Sequence, residues 1–283
     1  MKLPGTCNNM VCPSAFLVSA KHPFAVMGIV NVTPDSFFDG GKYEHADAAV
    51  EHARELVTQG ADIIDIGGAS SRPGAAGISP EEELRRVLPV VEEVTAFFKG
   101  PVSIDTTWSA VACAALEAGA TWINDVSAGR CDPAMIPLAA QTGCAVVLMH
   151  SRETPQTMQL NPQYGDVVTE VAEELQKAVR LFCDGGVDRR QLVLDPGIGF
   201  AKTAEHNIML LRRIEKLAAS GFPVLVGTSR KLFIGHLTGK SVEYRLPGSL
   251  ASVAAAWRGG ARLFRVHDVA ATVDFLKVLT RLS

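Results

Sequence analysis

The chain has 283 residues, of which 47% are apolar and 20% charged, with a formal net charge of −3. A chain this long and this apolar buries a core without disulfide or metal staples, which excludes an intrinsically disordered chain, a coiled coil and a collagen-like repeat. Acidic and basic residues are interspersed, so there is no basic stripe for nucleic acid.

The first 23 residues carry no strong pattern and are expected to form a short N-terminal extension or hairpin. Their apolar stretch, 15–20, is too short and too broken by serines to be a signal-peptide core. No run approaches the roughly 18 apolar residues of a membrane span, so a cytoplasmic protein is expected. From residue 24 on, short apolar runs recur at 24–30, 63–66, 102–104, 121–123, 145–149, 192–194, 224–226 and 263–266. Each reads as a buried strand, short and rich in Val, Ile and Leu. Longer segments with helical spacing lie between them. Ala46, Ala49, Val50, Ala53, Leu56 and Val57 share one face, and Leu84, Val87, Leu88, Val91 and Val94 share another. The second helix has a start signal: Ser79 as N-cap, Pro80 at the first position and Glu82 three residues after the cap.

Strand, helix, strand, helix implies parallel pairing through crossovers. About eight units predict an α/β fold, a single (β/α)8 TIM barrel over 24–283, which suits this length. A doubly wound open sheet is the competing architecture, and it usually closes with fewer strands.

The informative feature is where each apolar run ends. Val30 leads to Asn31, Ile66 through two glycines to Ser70, Ser71 and Arg72, Ile104 to Asp105, and Ile123 to Asn124 and Asp125. Met149 leads to His150, Leu194 to Asp195, Val226 to Ser229, Arg230 and Lys231, and the last run carries Arg265 and ends at His267. In a barrel these ends converge on one face, where active sites are built. Turn-forming and helix-capping would explain single Asp and Asn residues, but not the charged set as a whole.

Asp105, Asn124 and Asp195 offer acceptors suited to a planar heterocycle with an amino group beside a ring N–H. Arg72, Arg265 and His267 supply donors and positive charge for phosphates, with Asn31 as a neutral oxygen ligand. Lys231 precedes what reads as a helix start at Leu232, where free N–H groups favour an anion. The run Gly197-Ile198-Gly199-Phe200-Ala201-Lys202-Thr203 is not a phosphate loop, because the glycine that should precede the lysine is missing. The six cysteines form no C-x-x-C pair and are expected to be small buried thiols. His45, His52 and His206 are expected to face solvent.

The segment from Met27 to Phe37 (MGIVNVTPDSF) resembles the first signature of the dihydropteroate synthases, and Asp65 to Gly74 (DIGGASSRPG) resembles the second. Ile123-Asn124-Asp125, Asp195-Pro196-Gly197-Ile198-Gly199-Phe200, Ser229-Arg230-Lys231 and Arg265-Val266-His267-Asp268 are similar to the remaining ones. The likeness implies a (β/α)8 pterin-binding barrel. It also implies a transferase that joins 4-aminobenzoate to 6-hydroxymethyl-7,8-dihydropterin diphosphate, giving 7,8-dihydropteroate, a folate precursor, and diphosphate. By position, Asp105, Asn124, Asp195 and Lys231 would hold the pterin, with Asp105, Asp195 and Lys231 as catalytic groups. Ser71, Arg72, Arg265 and His267 would meet the diphosphate, and Arg72, Pro73, Phe200 and Lys231 would frame the aminobenzoate, the moiety that sulfonamides mimic. Asn31 would ligate Mg²⁺, the expected cofactor, and a homodimer is the expected assembly. The loops around 33–38 and 70–77 are expected to close over the site, with Asp35 helping to order them.

Two positions depart from the pattern. Ser71 stands where many members have Thr, and Leu232 where a Ser is common. Two rivals share the barrel. A methyltetrahydrofolate-dependent corrinoid methyltransferase would not need Arg265 and His267. A non-catalytic pterin-binding protein would not need the full set of charged strand ends.

Overall fold

The computed structural model describes residues 23–33, 42–70, 77–152 and 162–282. Eight strands form one parallel sheet: β1 (Ala25–Asn31), β2 (Ile63–Gly67), β3 (Val102–Asp105), β4 (Trp122–Asp125), β5 (Ala145–Met149), β6 (Leu192–Asp195), β7 (Leu225–Val226) and β8 (Leu263–Val266). Their order is β6-β5-β4-β3-β2-β1-β8-β7. A parallel bridge between Leu194 and Val224 joins the two outer strands and closes the barrel. The expected (β/α)8 architecture is therefore the observed one. The strand ends shift by a residue or so, because after four of the eight apolar runs a polar residue is itself the last residue of the strand.

The principal crossovers are α1 (Lys42–Thr58), α2 (Pro80–Phe97), α3 (Ser109–Glu117), α4 (Met135–Thr142), α5 (Val167–Asp184), α6 (Ala204–Arg212), α7 (Glu215–Ala218), α8 (Leu232–Thr238), α9 (Leu246–Arg258) and α10 (Val269–Leu282). The start signal of α2 is half realised. Ser79 Oγ accepts from the Glu82 amide, but the Glu82 carboxylate, instead of reaching back to the cap, accepts from Arg85 and Arg86 at 2.9 and 2.8 Å. α5 buries Val167, Val171, Leu175, Val179 and Phe182 along one face, and Asp166 caps its start. Gly28 lets β1 approach α1 closely: a Cβ there would stand 3.1 Å from Leu56 Cδ1, so that side chain would have to give way slightly.

Alternation along the strands sorts the core into two. Val26, Val30, Ile64, Ile66, Ile104, Ile123, Val146, Leu148, Leu194 and Phe264 face outward and pack under the helices. Ala25, Met27, Ile63, Trp122, Ala145, Val147, Val193, Leu225 and Leu263 face inward as a separate apolar cluster. This inner cluster plugs the N-terminal half of the lumen. The next inward residue after Ile63 is Asp65, after Ser103 is Asp105, after Trp122 is Asn124, after Val193 is Asp195 and after Leu263 is Arg265. Strand period 2 thus sets a polar layer directly on the apolar plug.

Two sequence expectations need correction. Of the four described cysteines, Cys144 is buried, Cys113 and Cys183 are half-buried and Cys131 is exposed, so buried thiols are the exception. His206 is half-buried and not solvent-facing, because it completes the capping box of α6 with Thr203. His52 is partly exposed beside Glu55. Residues 1–22, with the expected extension or hairpin, lie outside the described residues.

Candidate active site

The centre of the polar layer is Arg265. Its Nε donates to Asp65 at 2.6 Å and its Nη2 to Asp105 at 2.7 Å. One guanidinium on β8 thereby ties the carboxylates of β2 and β3 across the lumen. Burial opposes the Arg265 charge, but the two carboxylates more than offset it and hold the group charged. Asn124 donates from Nδ2 to the same Asp65 oxygen at 3.1 Å. That bond fixes the amide orientation and leaves the Asn124 carbonyl oxygen free of this contact. Asp65 is fully buried, and its Oδ1 has no hydrogen-bond partner among the described residues.

Asp195 sits across the mouth at the end of β6, 5% exposed. It accepts from the Gly197 amide at 2.7 Å. Burial pushes its carboxyl up to about 6, against the pull of that amide, Lys231 and Arg265. Asp105 is likewise raised by burial, with Arg265 opposing. Lys231 is drawn down to about 8, first by burial and then by neighbouring Arg265. Behind Asp105, burial raises the Glu83 carboxyl to about 7. These influences place Asp105 and Asp195 each within electrostatic reach of Lys231 and Arg265 in a low-dielectric mouth.

Lys231 stands at the cap position of α8, as the sequence suggests, and its ammonium lies 4.2 Å from the centre of the Phe200 ring. Phe200 is buried with Met149 and Ala201. Asn31 ends β1, level with Gly67, and is half-buried. His267 is exposed at the rim, its Nδ1 3.0 Å from Ser229 Oγ. Ser71, Arg72 and Pro73 lie outside the described residues, as do Asp35 and most of both expected closing loops.

Two polar residues of the same sequence motifs do not join the site. Asp125 points outward and accepts from the Ser127 amide and hydroxyl and from the Gly129 amide at 2.7–2.8 Å, which makes it a turn residue. Arg230 donates through Nε to Asp268 at 2.9 Å and braces the β7 loop against the loop after β8. Conversely, Asp65, which lies inside an apolar run of the sequence, does join the polar layer. The signal for it was its place in a strand, two residues on from inward-facing Ile63. A second buried group, Lys202 with His150, stands beside the mouth, and burial lowers the Lys202 ammonium to about 7.

A closed parallel barrel with acceptors, a lysine and an arginine gathered at its C-terminal mouth has the layout of an enzyme's active site. Residues 27–267 match the family of pterin binding enzymes, and the chain belongs to that family. A dihydropteroate synthase of Synechocystis sp. is 46% identical over 254 residues, which cover 89% of this chain and 88% of the relative. Among solved structures, a Xanthomonas albilineans dihydropteroate synthase with 4-aminobenzoic acid superposes with a TM-score of 0.86 and is 47% identical, covering 91% of this chain and 92% of the other. The same organism's enzyme in complex with 7,8-dihydropteroate gives a TM-score of 0.84 at 44% identity, covering 94% and 95%.

Proposed function

We infer that the chain catalyses the dihydropteroate synthase reaction, joining the amine of 4-aminobenzoate to the 6-methylene of dihydropterin diphosphate and releasing diphosphate. The observation that carries this reading is the polar layer, in which Asp105, Asn124 and Asp195 meet Lys231 and Arg265 over an apolar plug. The carboxylates of Asp195 and Asp105 and the side-chain oxygen of Asn124 pair with the amino and ring N–H donors of the pterin. The Phe200 ring and Lys231 border the aminobenzoate, and Arg265 and His267 face the diphosphate.

The C–O bond to diphosphate breaks first, and the leaving group takes the electron pair. The methylene cation left behind is delocalised into the dihydropterin ring, where the carboxylates of Asp105 and Asp195 stabilise it. The aminobenzoate amine, neutral at pH 7, supplies the electron pair of the new C–N bond and then loses a proton. No strong base is required. Alignment of the two substrates supplies a large part of the acceleration, on the order of several kcal/mol.

Magnesium belongs to the same proposal. Among the described residues no group of three or more His, Cys, Asp or Glu could hold a metal. Mg²⁺ commonly rests on one or two protein oxygens plus substrate phosphates and water, and the amide oxygen of Asn31 at the mouth fits that mode. Asn31 would hold the ion, which when bound would neutralise charge on the leaving diphosphate. A homodimer is also proposed, supported by the exposed apolar side chains of Leu237 on α8 and of Val242 and Tyr244 between α8 and α9; sedimentation at micromolar protein tests it. No described helix is long and apolar enough to cross a membrane, consistent with the cytoplasmic location we propose.

The test is direct. With both substrates and Mg²⁺, the protein is expected to release diphosphate and form dihydropteroate. Absence of both products with fresh substrates would refute the reading.

A further inference from the structure

The run 197–203, which is no phosphate loop, has another use. After β6 the chain turns through Gly197, Gly199 and Ala201, with φ of 66°, 83° and 50°. A Cβ on Gly197 would stand 1.9 Å from the His150 carbonyl oxygen, so the loop is pressed against the residue that follows β5. Three side chains clamp it. The Tyr164 hydroxyl donates to the Ala201 carbonyl at 3.0 Å, and the Asn207 side-chain oxygen accepts from the Gly199 amide at 2.7 Å. Lys202, 2% exposed, donates to the Phe200 carbonyl at 2.8 Å and lies 2.9 Å from His150 Nδ1.

An ionised carboxylate only accepts, so the proton of the neutral His150 ring sits on Nε2, facing Glu174, and Nδ1 is left to accept from Lys202. That proton meets Glu174 Oε2 at 2.9 Å, and Glu174 also accepts from Arg152 Nε at 3.0 Å. Burial, which holds the His150 imidazole down to about 4, keeps the ring neutral as this arrangement requires. A continuous chain of bonds therefore runs from α5 to the backbone of Phe200. Burying an ammonium among carbonyls and an imidazole is costly. The loop bearing that cost carries the ring that faces Lys231.

We propose that Lys202 is a positioning residue for the aminobenzoate site: its ammonium, oriented by His150 and Glu174, fixes the Phe200 backbone and so the ring 4.2 Å from Lys231. The proposal rests on the assignment of Phe200 and Lys231 to aminobenzoate.

Steady-state kinetics with both substrates and Mg²⁺ test it. Lys202→Met keeps the aliphatic stem and removes the ammonium. The KM for aminobenzoate is expected to rise about tenfold while that for pterin diphosphate stays within about twofold. In a Phe200→Ala background the same substitution is expected to add less than about twofold, because its effect passes through the missing ring. Should Lys202→Met fail to fold, Glu174→Ala at the outer end of the chain is expected to give the same split at about threefold. An unchanged aminobenzoate KM, an equal rise for both substrates, or full additivity with Phe200→Ala overturns the proposal. Phe200→Ala alone separates the two levels. If it leaves aminobenzoate untouched, the site assignment falls and takes the proposal with it. If it raises the aminobenzoate KM while Lys202→Met does not, the proposal alone falls.

Discussion

The two halves of the barrel lumen are built on the same strands and have opposite characters. The N-terminal half is a plug of Met27, Ile63, Trp122, Val147, Val193 and Leu263. The C-terminal half holds Asp65, Asp105, Asn124, Asp195 and Arg265. Each polar residue is the next inward position after a plug residue or, for Asp105, after buried Ser103. The plug removes water from beneath the charges and fixes the strands that carry them. The polar layer spends some of that stability to hold unlike charges in a dry mouth. Stability and chemistry are thus separated by a single step of two residues along each strand.

Substitutions in either half sharpen or break this division. The largest effect is expected at Arg265→Ala, which leaves Asp65 and Asp105 facing each other without a cation. Thermal or denaturant unfolding is expected to lose about 3–5 kcal/mol. Affinity for the pterin diphosphate is expected to drop much more than that for free pterin, and equal losses for both would contradict its place at the diphosphate. Asp195→Ala comes next. Calorimetry is expected to register about a hundredfold loss of pterin affinity, and an unchanged affinity removes Asp195 from recognition.

Acidification is a gentler form of the same test. The Asp195 carboxyl lies near 6, so it is mostly ionised at neutral pH and protonates as pH falls through that value, losing its acceptor. Pterin affinity is therefore expected to weaken about tenfold one pH unit below that pKa. A profile flat from about pH 8 to 5 would show that the carboxylate is not the partner. The smallest effect belongs to the plug. Ile63→Val is expected to cost about 1 kcal/mol of stability with both KM values unchanged, and a shifted KM would mean that the halves are not separable.

Much of this was legible in the sequence because strands in a closed parallel barrel are apolar until the mouth. The ends of the apolar runs therefore mark Asp105, Asn124 and Asp195 directly, and the last run carries Arg265 within it. Asp65 is harder to read because it lies inside an apolar run, where only the inward parity shared with Ile63 marks it. Asp125 was the opposite case: adjacent to Asn124, it faces the other way and serves a turn. Lys202 and His150 are 52 residues apart, and only the pairing of β5 with β6 brings them together. Sequence spacing could not reveal that contact, although the loop itself was visible as a motif.

The Arg265 bridge also bears on how the protein matures. Its two carboxylate partners lie 200 and 160 residues earlier in the chain. During synthesis, which proceeds from the N-terminus, Asp65 and Asp105 emerge long before the guanidinium that bridges them. The guanidinium that bridges these two acids leaves the ribosome only with the eighth strand, so this part of the pocket is completed last.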